Sequence, residues 1–210
     1  MDRSFCGLSK KTWWIVNSGL IGVVALLQIV SMTIPDWFSY DEDFYKDWNF
    51  GILGYRDDDG NYDSYIDKAD SSENASEKNA YDFMDTGGWI FVIASIFSIL
   101  GYLVGIAGNI LDLTKGFVNF PLSIVGVWFG FSVAGVAFLG WATCVEVTFT
   151  RDCGDKPYED EEQEQQNACL EAGAILAFVN LFLGLIAAVL QSVVWSNLKE
   201  PKTQTKKARI

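Results

Sequence analysis

Residues 172–195 read AGAILAFVNLFLGLIAAVLQSVVW, an apolar run that contains no charged residue. An α-helix needs about 20 such residues to cross the hydrocarbon core of a lipid bilayer. Three similar runs precede it at residues 13–34, 88–111 and 117–147, and the only charge among them is Glu146, near the end of the last. The sequence therefore predicts an all-α membrane protein built on a bundle of four transmembrane helices.

The first apolar run follows Lys10 and Lys11, and a basic lead is also typical of a cleaved signal peptide. However, the run is longer than the apolar segment of a signal peptide. It ends in the sequence PDW at residues 35–37, where a cleavage site would have small residues. We therefore expect a retained membrane anchor.

Charged residues are distributed unevenly, although the net charge of the whole chain is −12. The connections at 35–87 and 148–171, here called outer loops 1 and 2, hold fifteen and eight acidic residues against four and two basic ones. Lysine and arginine are concentrated in the tails at 1–12 and 196–210, and a lysine lies in the linker at 112–116. Basic flanks remain on the cytosolic side. We expect both termini in the cytosol and the outer loops on the far side of the plasma membrane.

The run at 117–147 has 31 residues, which would form a helix about 46 Å long. The hydrocarbon core is about 30 Å thick. We expect this helix to project from the membrane at its outer end, so that Glu146 reaches water.

Small residues mark the surfaces on which membrane helices approach each other closely. Gly101 and Gly105 are four residues apart in the second run, and Gly126 and Gly130 are four apart in the third. These glycines predict packing faces, either within the bundle or between copies of the chain. The spans also contain five amides that would line an ion path or make interhelical hydrogen bonds: Asn17, Gln28, Asn109, Asn180 and Gln191.

Outer loop 1 contains a predicted β-hairpin. Residues 48–56 read WNFGILGYR and residues 62–66 read YDSYI, with an Asp-Gly turn signal between them. Aligned on Gly60, an EF-hand would need acids at positions that hold Tyr55 and Ile66, so we reject that motif. A solvated turn is expected instead, and weak cation binding is the alternative, for the three acids Asp57, Asp58 and Asp59.

Cysteine and asparagine predict two modifications on the outer side. Cys153 and Cys169 both lie in outer loop 2, where oxidising conditions favour a disulfide between them. Asn74 begins the glycosylation sequon Asn-Ala-Ser, a short pattern that also arises by chance. Cys144 is expected to be an inert core thiol, and Cys6 is either palmitoylated or free.

The chain contains no histidine, which excludes Ser-His-Asp and Cys-His catalysis within it. Its spans hold no paired carboxylates and no cluster of metal ligands. We therefore expect no enzymatic activity, no cofactor, no metal site and no nucleic-acid partner. The expected partners are membrane lipids and other membrane proteins or copies of the same chain. The basic C-terminal tail ends in isoleucine and would bind anionic lipid or, alternatively, a PDZ groove.

Trp37 lies directly after the first span, and Trp48 is followed by the triplet Gly51, Ile52 and Leu53. This pattern, with four spans, inner termini and the larger outer loop first, resembles the claudin, peripheral myelin protein and calcium-channel gamma-subunit superfamily. That superfamily has a Gly-Leu-Trp motif at the triplet, followed by two cysteines that are missing here. The resemblance implies a small outer β-sheet that caps a left-handed four-helix bundle and is supported by the projecting third helix.

The resemblance also implies two functions that the sequence does not separate. One is a structural or adhesion protein or a barrier component, and the other is an accessory subunit of a larger ion channel or membrane complex. An ion channel formed by an oligomer of the chain is a further alternative. No charged residue lies deep in any span, which counts against a charge-lined pore.

Overall fold

The computed structural model describes residues 4–40, 49–57, 59–115, 121–145 and 168–198. Within these ranges the chain forms four long helices: α1 (Lys10–Thr33), α3 (Ala75–Lys115), α4 (Leu122–Cys144) and α5 (Ala172–Leu198). A short helix, α2 (Tyr65–Ser71), precedes α3. Each long helix contains a stretch that is long and apolar enough to cross a membrane. This architecture is compatible with a four-span integral membrane protein.

The surface of the four long helices is apolar and their interior is partly polar. Leu26, Leu139 and Phe182 are 62%, 63% and 56% exposed. Large apolar surfaces of this kind are stable when lipid rather than water covers them. Five amides, in contrast, are at most 2% exposed within the bundle: Asn17, Gln28, Asn109, Asn180 and Gln191. This inverted distribution independently supports the four membrane spans.

Helices α3 and α4 pack in direct backbone contact through their glycines. A Cβ atom built on Gly101 would lie 2.7 Å from the backbone nitrogen of Gly130, and one built on Gly126 would lie 2.5 Å from that of Gly105. A methyl group at either position would force the helices apart. The glycine pairs therefore face each other within one chain.

A five-stranded antiparallel sheet covers one end of the bundle. Its strands are β3 (Phe38–Tyr40), β4 (Asn49–Phe50), β5 (Gly54–Arg56), β6 (Tyr62–Ser64) and β7 (Ala168–Leu170). They lie in the order β6-β5-β4-β3-β7, so a strand from the connection before α5 joins four strands from the connection after α1.

A second, two-stranded sheet precedes α1 and consists of β1 (Ser4–Phe5) and β2 (Leu8–Ser9). Its turn places Cys6 and Gly7 at φ of 50° and 76°, which is the left-handed backbone of a tight hairpin turn. The Ser9 side chain then accepts a hydrogen bond from the Thr12 backbone N–H at 3.2 Å, which caps the first turn of α1.

The third helix is shorter than the apolar run at residues 117–147 predicts, and the projection of its outer end remains a prediction. Helix α4 has 23 residues, about 34 Å, which matches the bilayer core and its edge. Pro121 precedes α4, and proline is tolerated at the start of a helix but not in its interior. Helix α3 is the one that extends, to 41 residues or about 62 Å, because it begins at Ala75, well before the apolar run. Glu146 lies outside the described residues.

The predicted hairpin also differs in detail. The segment at 48–56 is not one strand, because a turn separates β4 from β5. The second strand, β6, ends at Ser64, and Tyr65 and Ile66 belong to α2. The Ser64 side chain accepts a hydrogen bond from the Asp67 N–H at 3.2 Å, so it caps α2 and ends the strand.

Candidate functional site

The junction between the sheet and the bundle is built around Trp37, which is fully buried. Its indole Nε1–H donates a hydrogen bond to the Ser31 carbonyl of α1 at 3.0 Å. Its ring meets Phe91 of α3 and Trp141 of α4 edge-on, with centroid distances of 4.5 and 4.7 Å. One side chain therefore joins α1, α3 and α4, and edge-to-face aromatic pairs add stability beyond their buried area.

The backbone of Trp37 also joins both connections. Its N–H donates to the Phe50 carbonyl at 2.7 Å, and its carbonyl accepts from the Glu171 N–H at 2.9 Å. A Cβ atom built on Gly173 would lie 2.5 Å from the Trp37 ring, so the start of α5 can pack here only with glycine. Trp37 thus fixes both the sheet and α5 to the bundle.

The triplet Gly51, Ile52 and Leu53 forms the turn between β4 and β5, directly against the helices. The Gly51 N–H donates to the Gly54 carbonyl at 2.8 Å, and the Gly51 carbonyl accepts from the Tyr65 hydroxyl at 2.9 Å. A Cβ atom on Gly88 of α3 would overlap the Ile52 carbonyl oxygen. The triplet therefore packs on α3. Trp48, which also belongs to the family-like motif, lies outside the described residues.

Three tyrosines attach the extension of α3 to the sheet. The rings of Tyr55, Tyr65 and Tyr81 lie with centroid distances of 6.2 to 6.3 Å. They belong to β5, α2 and α3, so the cluster unites three elements. It also gives the polar residues before the second apolar run a surface to pack on, which explains why α3 begins so early.

An ion pair borders this tyrosine cluster. The Lys68 Nζ lies 3.1 Å from the Asp63 carboxylate and 5.8 Å from the centre of the Tyr55 ring. Hydrogen bonds to Tyr55 and Asp63 raise the pKa of Lys68 above its ordinary value. Burial raises the pKa of Tyr55, and the hydrogen bond with Lys68 opposes that rise. These hydrogen bonds thus keep Lys68 charged well into the alkaline range, and burial keeps Tyr55 neutral there.

The acidic turn between β5 and β6 is held by its own first residue. The Asp57 carboxylate accepts from the Asn61 backbone N–H at 2.7 Å and from the Asn61 side chain at 3.2 Å. Gly60 has a φ of 82° and donates its N–H to the Asp57 carbonyl at 3.0 Å. Asp59 is exposed, and Asp58 lies outside the described residues. Part of the acidic cluster is therefore engaged in shaping the turn.

Within the described ranges, no group of three or more histidine, cysteine, aspartate or glutamate side chains is placed to hold a metal ion. Cys6 is exposed and Cys144 is partly buried, and both are free thiols. Cys153 lies outside the described residues, and only the backbone of Cys169, in β7, is described. The disulfide therefore remains a prediction. Asn74 is exposed directly before α3, where its carbonyl accepts from the Lys78 N–H at 2.9 Å.

The five buried amides form two hydrogen-bonded clusters between α1, α3 and α5. In the first cluster Asn17 donates to the Gln191 side-chain oxygen, and Gln191 donates to Asn109 at 2.8 Å. In the second, Gln28 donates to the Ser95 hydroxyl at 2.7 Å and accepts from Asn180 at 2.6 Å. Of the two alternatives, an ion path or interhelical hydrogen bonds, these contacts correspond to interhelical hydrogen bonds.

The contribution of outer loop 2 to the sheet was not predicted from the sequence. Residues 168–170 read ACL, too few to stand out as a strand, and their partner Phe38 is far away in the chain. The tyrosine cluster was not predicted either. Its one signal in the sequence is the presence of Tyr55, Tyr65 and Tyr81 in a connection that is otherwise mostly polar.

No family model and no curated protein matches the chain. The interpretation of the junction therefore depends on its geometry. That geometry provides a sheet fixed to one end of a helix bundle, with an exposed acidic turn at β5–β6.

Proposed function

We propose that the chain is a non-enzymatic, claudin-like four-span membrane protein that acts as a structural or adhesion protein or as a barrier component. It does so through contacts that its sheet and helices make with neighbouring molecules. One observation carries the proposal: strands from two separate connections form one sheet, and Trp37 fixes that sheet to three helices. A sheet held in this way loses little conformational freedom when it binds, which favours its use as a contact surface.

The proposed orientation places the sheet outside the plasma membrane and both tails in the cytosol. The distribution of lysine and arginine supports this orientation. The acidic outer loops would then attract cations and repel anions near the contact surface. The turn at Asp57, Asp58 and Asp59 would bind cations weakly as part of that field.

The position of the family-like residues supports the resemblance to the claudin superfamily. Trp37 and the turn at residues 51–53 lie together where the sheet meets the helices. In this proposal these residues attach the sheet to the helices, whereas the acidic turn is the part that contacts a neighbouring molecule.

The first test is the mass and composition of the particle that contains the tagged chain after extraction in mild detergent. Particles made only of this chain support the proposal. A larger partner in fixed stoichiometry would instead make the chain an accessory subunit and overturn the self-contained structural role.

The second test is aggregation of vesicles that carry the full chain with the sheet facing outward. Reversing the charge at the exposed turn with Asp59→Lys should reduce aggregation, while the matched change Asp70→Lys on exposed α2 should not. Equal effects of the two substitutions would show that general surface charge, and not the turn, controls contact. Absence of aggregation by the unsubstituted chain would contradict the adhesion role.

A further inference from the structure

Helices α3 and α4 border an open groove of about 660 Å³ on the surface of the bundle. Its α3 wall is a stripe of Trp89, Ile93 and Phe97, which are 49%, 52% and 52% exposed. Phe129 and Val133 of α4 form part of the opposite wall. The groove is therefore almost entirely apolar and belongs to the part of the protein that faces the membrane.

One end of the groove is polar and carries a negative charge. Asp85 and Thr86 line that end, and the Thr86 hydroxyl donates to the Asp82 carbonyl at 2.8 Å. No hydrogen-bond donor engages the Asp85 carboxylate within the described part of the chain, and Trp89, which is 49% exposed, lies one helical turn further along α3. A carboxylate beside an exposed indole is complementary to an ammonium group, through Coulomb attraction and through cation–π attraction.

The length of the groove matches one leaflet of a bilayer. From Asp85 to Phe97 an α-helix rises about 18 Å, and half of the hydrocarbon core is about 15 Å. Beyond Phe97 the two helices come into backbone contact at Gly101 and Gly130. The groove thus begins with a charge near the membrane surface and ends near the middle of the bilayer, which is the extent of a lipid and shorter than a transmembrane helix.

We propose that this groove binds a phospholipid whose headgroup carries an ammonium ion. The ammonium lies at Asp85 and Trp89, and an acyl chain lies along Ile93 and Phe97. Anionic phospholipids without an ammonium bind less well, because Asp85 and the neighbouring Asp82 repel them. This inference requires only that the helices span a membrane, and it holds whether or not the chain acts in adhesion.

The test uses the full chain, purified in mild detergent and mixed with equal amounts of palmitoyl-oleoyl phosphatidylcholine and phosphatidylglycerol. Native mass spectrometry then measures the lipid that each chain retains. We expect about a fivefold preference for phosphatidylcholine, the size of one exposed ion pair combined with a cation–π contact. Asp85→Asn should reduce the preference to the smaller part that the cation–π contact at Trp89 supplies, and Ile93→Trp should fill the groove and lower the retention of both lipids.

Two matched variants control for charge and for bulk. Asp70→Asn removes one exposed carboxylate from α2, and Ile96→Trp adds an indole to a half-exposed α3 position outside the groove. Both should retain lipid as the unsubstituted chain does. Equal retention of the two lipids by the unsubstituted chain, or an unchanged preference in Asp85→Asn, would overturn the proposal. So would equal losses in Ile93→Trp and Ile96→Trp, or a second protein chain in place of the lipid.

Discussion

The sheet end and the middle of the bundle are held together by different interactions. At the sheet end, large aromatic side chains such as Trp37, Phe38 and Trp141 are buried in one continuous core. In the middle, the helices meet through glycines such as Gly101 and Gly126 and through the amide clusters. The difference follows from the solvent. Water drives apolar groups together, whereas burying a leucine that already lies in lipid gains little free energy. Cohesion inside a membrane therefore requires close packing and hydrogen bonds.

The largest expected effect is at the aromatic junction. Trp37→Ala should lower the free energy of unfolding by about 4 kcal/mol, because it leaves a cavity between three helices and the sheet. Thermal unfolding followed by circular dichroism would measure the loss. Trp89→Ala, at a half-exposed position, is the matched control and should change stability little. If the two variants lost equal free energy of unfolding, the buried contacts of Trp37 would not be what stabilises the junction.

The next effect concerns the glycine contact in the middle of the bundle. Gly126→Leu should cost about 3 kcal/mol, because its Cβ would lie 2.5 Å from the backbone nitrogen of Gly105. Gly135→Leu on the same helix is the control, since no heavy atom lies within 4 Å of its built Cβ. Titration of the detergent-solubilised protein with a denaturing detergent would compare them. If Gly126→Leu unfolded at the same point as Gly135→Leu, the close contact would be refuted.

A smaller effect is expected from the amide clusters. Gln191→Leu removes the partner of Asn17 and Asn109 and should cost about 1 kcal/mol, the usual range for hydrogen bonds between membrane helices. The control is Asn197→Leu, because Asn197 is exposed and its side chain donates to the Val193 carbonyl of its own helix at 2.8 Å. The same denaturing titration applies. If Gln191→Leu were more stable than the unsubstituted chain, the amide hydrogen bonds would not be what holds the helices together.

The smallest effect is the pH dependence of the ion pair at the sheet. The folded pKa values of Lys68 and Tyr55 are both raised, so their contribution is complete below the unfolded values of 10.5 and 10.0 and is lost as the pH rises above them. Because Lys68 is 39% exposed, solvent limits the contribution to about 0.5 kcal/mol. Tyr55→Phe removes one of the two raised groups and the hydrogen bond that contributes most to the raised pKa of Lys68. It should therefore flatten the decline of the melting temperature above about pH 10, and Lys78→Met should leave that decline unchanged. A steeper decline in Tyr55→Phe would contradict the assigned direction of the two pKa shifts.

The sequence predicted the helices better than it predicted their ends. All four apolar runs coincide with helices, because crossing a bilayer requires a long apolar segment that is visible locally. The third helix is shorter than predicted, since apolar composition continues through Pro121 although the helix does not. The extension of α3 to Ala75 could not be seen, because its residues are polar and depend on packing against Tyr55 and Tyr65.

The candidate site was predictable only where neighbouring residues in the sequence determine the structure. The turn at Asp57 to Asn61 is encoded locally, by a glycine with positive φ and an aspartate that binds its own turn. The importance of Trp37 was expected from the resemblance, but its contacts with Phe91 and Trp141 depend on residues more than fifty positions away. The groove at Asp85 also escaped notice, because Phe129 and Val133 reach it only after α3 and α4 pair.

The sequence by itself determined the four spans, the acidic connections and the position of the β5–β6 turn, because chain length, charge and turn chemistry act between near neighbours. Only the tertiary structure decided that β7 pairs with β3, that Gly101 faces Gly130 and that Gln191 bonds to Asn17. Each of these contacts joins residues far apart in the chain. Their free energy is gained only when the helices and the sheet are already in place, so no local pattern reveals them.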